Sequence, residues 1–141
     1  MNPVDFLNIA EQFHKSGVEA ERRTSIGRSY YAFYNQLFIA LSSQGVYFDK
    51  EDSHSRLLYY LSSCSPIKAR TIGEDLKTLR NYRNNADYEM EMRIDISHSE
   101  FAYKKAHAAV QRFGALDAKD IQKIAECIGY LPPYKPAGRQ R

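Results

Sequence analysis

The chain has 141 residues, 20 basic and 17 acidic side chains, 43% hydrophobic residues and two cysteines, Cys64 and Cys127. A chain of this length builds one domain with a core that needs no disulfide staples, and two cysteines distant in sequence make neither a disulfide framework nor a four-cysteine zinc site. No apolar run reaches the roughly 20 residues that cross a bilayer, and MNPVDFLNIA lacks the basic-then-apolar pattern of a secretory leader, so the expected setting is the reducing cytoplasm.

Apolar residues recur with helical period, and almost no alternating β-branched run occurs, which predicts an all-α fold. A first helix spans Pro3 to Ser16, with Phe6, Ile9, Ala10 and Phe13 on one face and Ser16-Gly17 as its stop. The second, from about Glu19 to Ser43, sets Ile26, Tyr30, Phe33, Leu37 and Leu41 at steps of four, three, four and four, one continuous buried stripe. It is more than about 30 Å long and forms the spine of the domain. After a loop over residues 45–53, Asp52 or Ser53 caps a short helix carrying Leu57, Leu58 and Leu61, which Ser62 to Pro66 breaks. From Pro66 a fourth helix buries Ala69, Ile72, Leu76 and Leu79 and reaches about Ala86.

Residues 87–97 read as an ordered connection. A fifth helix from about Ser97 presents the small-residue stripe Ala102, Ala106 and Ala109, then Phe113 and Leu116, and Asp117 caps a last short helix through Ile121, Ile124 and Ile128. The expected architecture is an up-and-down antiparallel bundle of about five main helices. It occupies residues 1–130, and residues 131–141 form a basic, proline-containing tail that leaves the domain. The net charge of +3 belongs to that tail, because residues 135–141 hold Lys135, Arg139 and Arg141 while the remainder has equal numbers of acidic and basic side chains. Whole-chain charge therefore says little about nucleic-acid binding by the body.

Two polar groupings do not suit a plain bundle. On the spine helix Thr24, Arg28, Tyr31 and Asn35 make a second, hydrogen-bonding stripe beside the apolar one. Around it the aromatics of Ser29-Tyr30-Tyr31-Ala32-Phe33-Tyr34 wrap more than one face, as in a helix buried by its own bundle and also by a second subunit or a ligand. The fourth helix ends in Arg80-Asn81-Tyr82-Arg83-Asn84-Asn85-Ala86-Asp87-Tyr88, with Arg80, Arg83 and Asp87 on one edge and an Arg83–Asp87 pair at i, i+4. Guanidiniums, amides and a phenol gathered there suit a phosphodiester or nucleotide, although cations and Asn also belong at an ordinary helix end.

These segments resemble the HEPN (higher eukaryotes and prokaryotes nucleotide-binding) domain family. The resemblance rests on Gly27-Arg28-Ser29-Tyr30-Tyr31-Ala32-Phe33-Tyr34-Asn35, on Phe48 to Ser55 with His54, and on Leu79 to Tyr88, in the family's order and spacing, and it covers roughly residues 3–113. It implies a helical bundle that dimerises, with the two motif-bearing helices facing a composite cleft. Many such proteins are metal-independent ribonucleases of toxin–antitoxin, CRISPR-linked and other antiviral systems, often encoded beside a small nucleotidyltransferase. Catalytic members carry Arg, a polar residue and then His four to six positions after the Arg, the His serving proton transfer. Arg83 and Asn84 match the first two positions, but Tyr88 stands where His is expected, as in a subgroup that ends Ala-Asp-Tyr. A phenol is a poor base at neutral pH, which leaves the phosphate-binding arginine without its usual partner.

His54, placed by the resemblance at the start of the short helix near the cleft, is the candidate substitute imidazole. The string Arg93-Ile94-Asp95-Ile96-Ser97-His98 satisfies the Arg-to-His spacing literally, but about one such match is expected by chance and it lies in a connection. His14 and His107 read as surface or half-buried residues without partners in register. Neither a metal nor another cofactor is implied. Two functions follow. The first is a dimer that handles RNA or nucleotides, a metal-independent ribonuclease with Arg83, Asn84, Tyr88 and His54 as catalytic residues and Arg28, Tyr31, Asn35, Arg80 and Asp87 holding the ligand. The second is a non-catalytic dimeric accessory subunit of a larger system, antitoxin-like or structural, in which the polar stripes form an interface and Arg83–Asp87 is a helix-end ion pair. A third and weaker reading is nucleotide sensing, with Tyr31 or Tyr34 stacking on a base.

Overall fold

A computed structural model of the chain describes residues 1–136. They form six helices and no strand: α1 (Val4–Phe13), α2 (Glu19–Ser43), α3 (Ser53–Ser63), α4 (Ile67–Tyr88), α5 (Ile96–Gly114) and α6 (Ala118–Gly129). The all-α bundle expected from periodicity is therefore the observed architecture. α2 is its centre, packed against α1, α4 and α5, while α3 lies on α4 and α6 crosses the ends of α2 and α3.

The predicted stripe of α2 is buried throughout, with Tyr30, Phe33 and Leu37 at 0% exposure. Gly27, Ser29, Ala32 and Tyr34 are buried as well, so this helix is enclosed on several sides. Three helices of its own chain, α1, α4 and α5, pack against it. α1 differs from expectation: Leu7 and Ala10 face the core and Ile9 is exposed, because the buried edge continues from Ala10 to His14, not to Phe13. His14 is itself buried, stacked 4.6 Å from Tyr103, with its carbonyl accepting from Ser99 Oγ.

The fourth helix runs past Ala86 to Tyr88, and Arg23 explains the extension. Its guanidinium donates to the carbonyls of Ala86 (2.9 Å) and Glu89 (3.1 Å), satisfying oxygens that a helix end leaves without partners. Glu19, paired with Arg23, accepts from the Ile94 N–H at 3.2 Å and holds the following connection in place. α5 then starts at Ile96, where His98 Nδ1 accepts from the Asp95 N–H at 2.9 Å as a capping contact. In the literal Arg93-to-His98 match, the Arg93 side chain is 87% exposed and paired with Asp95.

Asp117 caps α6 by accepting from the Asp120 N–H at 2.8 Å, as expected. Ile124 and Ile128 anchor α6 in the core, and Lys68 on α4 reaches Asp120 at 3.1 Å. Beyond α6 the chain folds back on α3: the Tyr59 hydroxyl donates to the Pro132 carbonyl at 2.7 Å, and Tyr134 lies between Tyr59 and the Arg56 guanidinium. The tail's Arg139 and Arg141 lie outside the described residues. No helix among the described residues is long and apolar enough to cross a membrane.

Candidate functional site

The side chains that the sequence singles out converge where α2, the start of α3 and the end of α4 meet. α2 supplies a wall of three tyrosines, since positions 30 and 34 are one turn apart and position 31 lies beside them. Tyr30 and Tyr34 are stacked at 5.8 Å, and Tyr31 meets both edge-on. The His54 ring, from the first turn of α3, lies flat against Tyr34 at 4.2 Å between centroids. α4 presents Arg80 and Arg83 from the other side.

Arg83 is the most constrained of these groups. Its Nε donates to Asp87 Oδ2 at 3.1 Å, its Nη1 to Asn84 Oδ1 at 3.1 Å and its Nη2 to the Tyr31 hydroxyl at 2.7 Å. The i, i+4 pair is the one the spacing predicts. Three rings surround the charge, Tyr30 at 5.7 Å, Tyr31 at 5.3 Å and Tyr88 at 5.4 Å, each contact worth about 0.5 to 2 kcal/mol. Tyr88, at the position where the family pattern has histidine, is 65% exposed and contributes a ring face over Arg83. Arg28 stacks over Phe6 at 4.9 Å and Tyr31 at 5.4 Å, extending the aromatic and guanidinium layer toward α1.

Arg80 is far less committed. It makes one hydrogen bond, from Nη1 to Ser55 Oγ at 3.3 Å, and its buried Nε has no acceptor among the described residues. A buried donor without an acceptor costs about 1 to 3 kcal/mol, so this guanidinium has capacity for an incoming anion, as does Arg28, which stacks on rings and makes no hydrogen bond among the described residues.

The charge state of His54 follows from its surroundings. Burial first, and then the Arg80 and Arg83 cations, depress its pKa from 6.5 to about 4, so the ring is neutral near pH 7. Burial pushes the Tyr30 phenol well above its ordinary range, and it keeps its proton. The Tyr30 hydroxyl lies 2.5 Å from His54 Nδ1, and because that buried phenol has no other acceptor among the described residues, it is assigned as the donor to that nitrogen. The ring proton then resides on Nε2, because a neutral imidazole carries one. His54 thus offers an N–H, and its basic nitrogen is already occupied. Tyr34 donates to Ser53 Oγ at 2.7 Å, closing a polar layer under the site.

Arg28, Tyr31, His54, Arg80, Arg83, Asn84, Asp87 and Tyr88 therefore share one region. Asn35 stands a turn further along α2, in a neighbouring cleft of about 200 Å³ with Tyr34, Ser53, Asp49 and Lys50. Ser53, Ser55 and the structural role of Tyr30 are not among the sequence-derived site residues. The i, i+4 spacing of Tyr30 and Tyr34 hints at the aromatic wall, but Tyr30 reads equally well as plain core. Chemically, the assembly holds cationic donors and one imidazole N–H against aromatic faces, which suits a planar or anionic ligand. Its one imidazole is neutral, with Nδ1 already engaged by the Tyr30 hydroxyl. Among the described residues no cluster of three or more His, Cys, Asp or Glu side chains is placed to hold a metal ion.

No family model matches the chain, and no solved structure matches it. A stretch of 107 residues is 36% identical to an uncharacterized protein of Methanocaldococcus jannaschii, covering 64% of this chain and 64% of that protein. The chain thus spans less than two thirds of the relative's length, and the relative brings no activity with it.

Proposed function

We propose that this region is an RNA-handling site of HEPN type, with slow, metal-independent strand cleavage as its chemistry. The observation that carries the reading is the approach of Arg80 and Arg83 from α4 toward the His54 imidazole from α3, over a tyrosine wall supplied by α2. In this reading Arg80 takes the phosphate, Arg83 is held ready by Asn84 and Tyr31, and the Tyr88 and Tyr31 faces lie beside the bases. Attack of a ribose 2′-hydroxyl on the neighbouring phosphorus forms a 2′,3′-cyclic phosphate as the bond from phosphorus to the 5′-oxygen breaks, the 2′-hydroxyl proton passing to solvent and the departing 5′-oxygen taking one from it. The negative charge built on the phosphoryl oxygens is stabilised by the guanidiniums and the His54 Nε2–H. With the imidazole Nδ1 engaged by Tyr30, stabilisation of that charge is the main contribution in this reading and the rate is modest. The setting that goes with this reading is a toxin–antitoxin or antiviral system, with the chain as a homodimer beside a nucleotidyltransferase-type or other defence partner.

A second reading, the non-catalytic interaction subunit, is favoured by one specific observation: Arg83 spends donors on Asp87, Asn84 and Tyr31 within its own chain, and its side chain is only 13% exposed. Fluorescence anisotropy with labelled single-stranded RNA across a salt series separates the two. The RNA reading expects Arg80→Ala and Arg83→Ala each to weaken binding and to flatten the log–log salt slope by about 0.7 per lost phosphate contact. Unchanged affinity and slope in the double variant would leave the interaction subunit as the better account.

A further inference from the structure

We infer that the cleft beside the tyrosine wall is a base-recognition subsite that takes a single adenine of an RNA strand. The inference rests on the RNA reading and names the sequence preference that goes with it. Between α2 and the loop before α3, Asn35, Phe38, Phe48, Asp49 and Lys50 enclose a volume of about 200 Å³, which the buried Tyr34 and Ser53 also line. That is smaller than the pockets of drug-sized ligands and on the scale of one flat ring system.

The apolar part of the cleft is aromatic. The Phe38 and Phe48 rings lie 4.8 Å apart, and Phe38 is in turn stacked on Tyr34 at 6.0 Å. Both phenylalanines are half-buried against the core, so each keeps ring surface toward the cleft. Ring surface of this kind holds the splayed bases of single strands by stacking. Tyr34 is the link to the site described above: it lines the cleft and also stacks against His54 at 4.2 Å, and Ser53 of the cleft is the residue before His54. The two sites therefore share a wall, and one strand can occupy both.

The polar part supplies the discrimination. Asn35 is half-buried, and its side-chain amide makes no hydrogen bond among the described residues, so it is free to turn either edge to a ligand. Asp49 adds acceptors only. Its Oδ1 accepts from the Glu51 N–H at 3.1 Å, which steadies the carboxylate, and its second oxygen makes no hydrogen bond among the described residues. An Asn amide pairs bidentately with adenine, donating to a ring nitrogen and accepting from the N6 amine, and the second amine hydrogen is then left for Asp49. Uracil and guanine carry carbonyl oxygens in that place, which meet the carboxylate with no proton between them. Cytosine has the amine but a smaller ring to stack. Lys50, exposed and in no ion pair among the described residues, is the cation at the rim for a flanking phosphate.

The test is fluorescence anisotropy of the full-length protein with labelled RNA decamers at one salt concentration: all uridine, and the same strand with one central adenosine, guanosine or cytidine. One adenosine should tighten binding about 10-fold over uridine, with a smaller gain from cytidine and none from guanosine. Asn35→Ala should erase most of that preference. Asp49→Asn should do so as well, because an amide can turn to donate to a carbonyl. Asp49 lies in a loop, so its variant decides the matter even where Asn35→Ala lowers Tm. Decamers bound alike, a guanosine or cytidine gain equal to that of adenosine, or a preference that survives both variants would overturn the subsite and leave RNA handling standing. Binding to none of the decamers would overturn the subsite together with the RNA reading.

Discussion

Tyr30 decides what His54 can do. The phenol donates to Nδ1, burial and two arginines keep the ring neutral, and Nε2–H is the group left to face a ligand. The same environment makes His54 a pH-dependent element of stability. Its pKa of about 4 in the folded chain lies below the ordinary 6.5, so between those values the unfolded chain binds a proton that the folded chain refuses. Stability is thus retained above about pH 6.5 and falls as the pH drops toward 4, and buried His14, whose pKa is also lowered, acts in the same direction. His54→Asn keeps an acceptor for Tyr30 without the titration, so its Tm should fall less than that of the wild type over this window. Parallel curves would show that His54 contributes nothing to the acid sensitivity. The sequence supplies His54 as a candidate through its position before a short helix, but not its tautomer, which depends on a tyrosine 24 residues away.

The helices were legible where local periodicity decided them and less so where a distant side chain did. The stripe of α2, the alanine stripe of α5 and the Asp117 cap all follow from spacing within one element. The last turn of α4 does not, because its carbonyls are satisfied by Arg23 from α2. Asp87 and Tyr88, expected in a connection, are helical for that reason, and this is what places both beside Arg83. Two glycines test the packing between elements. An added Cβ at Gly73 would lie 3.1 Å from Leu61 Cβ and 3.5 Å from backbone of α3, atoms that cannot swing aside. At Gly27 the nearest atom is Asp87 Oδ1 at an ordinary 3.8 Å. Gly73→Ala should therefore destabilise by about 1 to 2 kcal/mol, because forcing the helices apart outweighs the gain in helix propensity. Gly27→Ala should stabilise by about 0.5 to 1 kcal/mol. Chemical denaturation of both variants checks the contrast, and two shifts of the same sign would contradict the packing described.

At the scale of the whole molecule, composition and period were enough to read an all-helical domain, but not what the ends of its elements touch. The segment around Tyr134 returns to α3 through contacts that no local pattern encodes. Asp75 is another such case, an acid in the middle of α4 that is buried because Arg112 and Lys105 of α5 reach it at 2.8 and 3.2 Å. The arginine cluster on α4 was legible as a polar excess at a helix end and His54 as a neighbour of the same cleft through the family resemblance, whereas the ring and guanidinium contacts around them follow only from the packing of three helices. The central claim is that this meeting point handles RNA chemically. The most direct measurement is incubation of the purified protein with a labelled mixed RNA pool in the presence of a metal chelator, beside Arg80→Ala and Arg83→Ala variants of verified fold. The account predicts slow cleavage of RNA but not of DNA, products ending in a 2′,3′-cyclic phosphate, and a loss of about 100-fold or more in either variant. RNA left intact by the wild type, or cleaved as fast by Arg83→Ala, would contradict it.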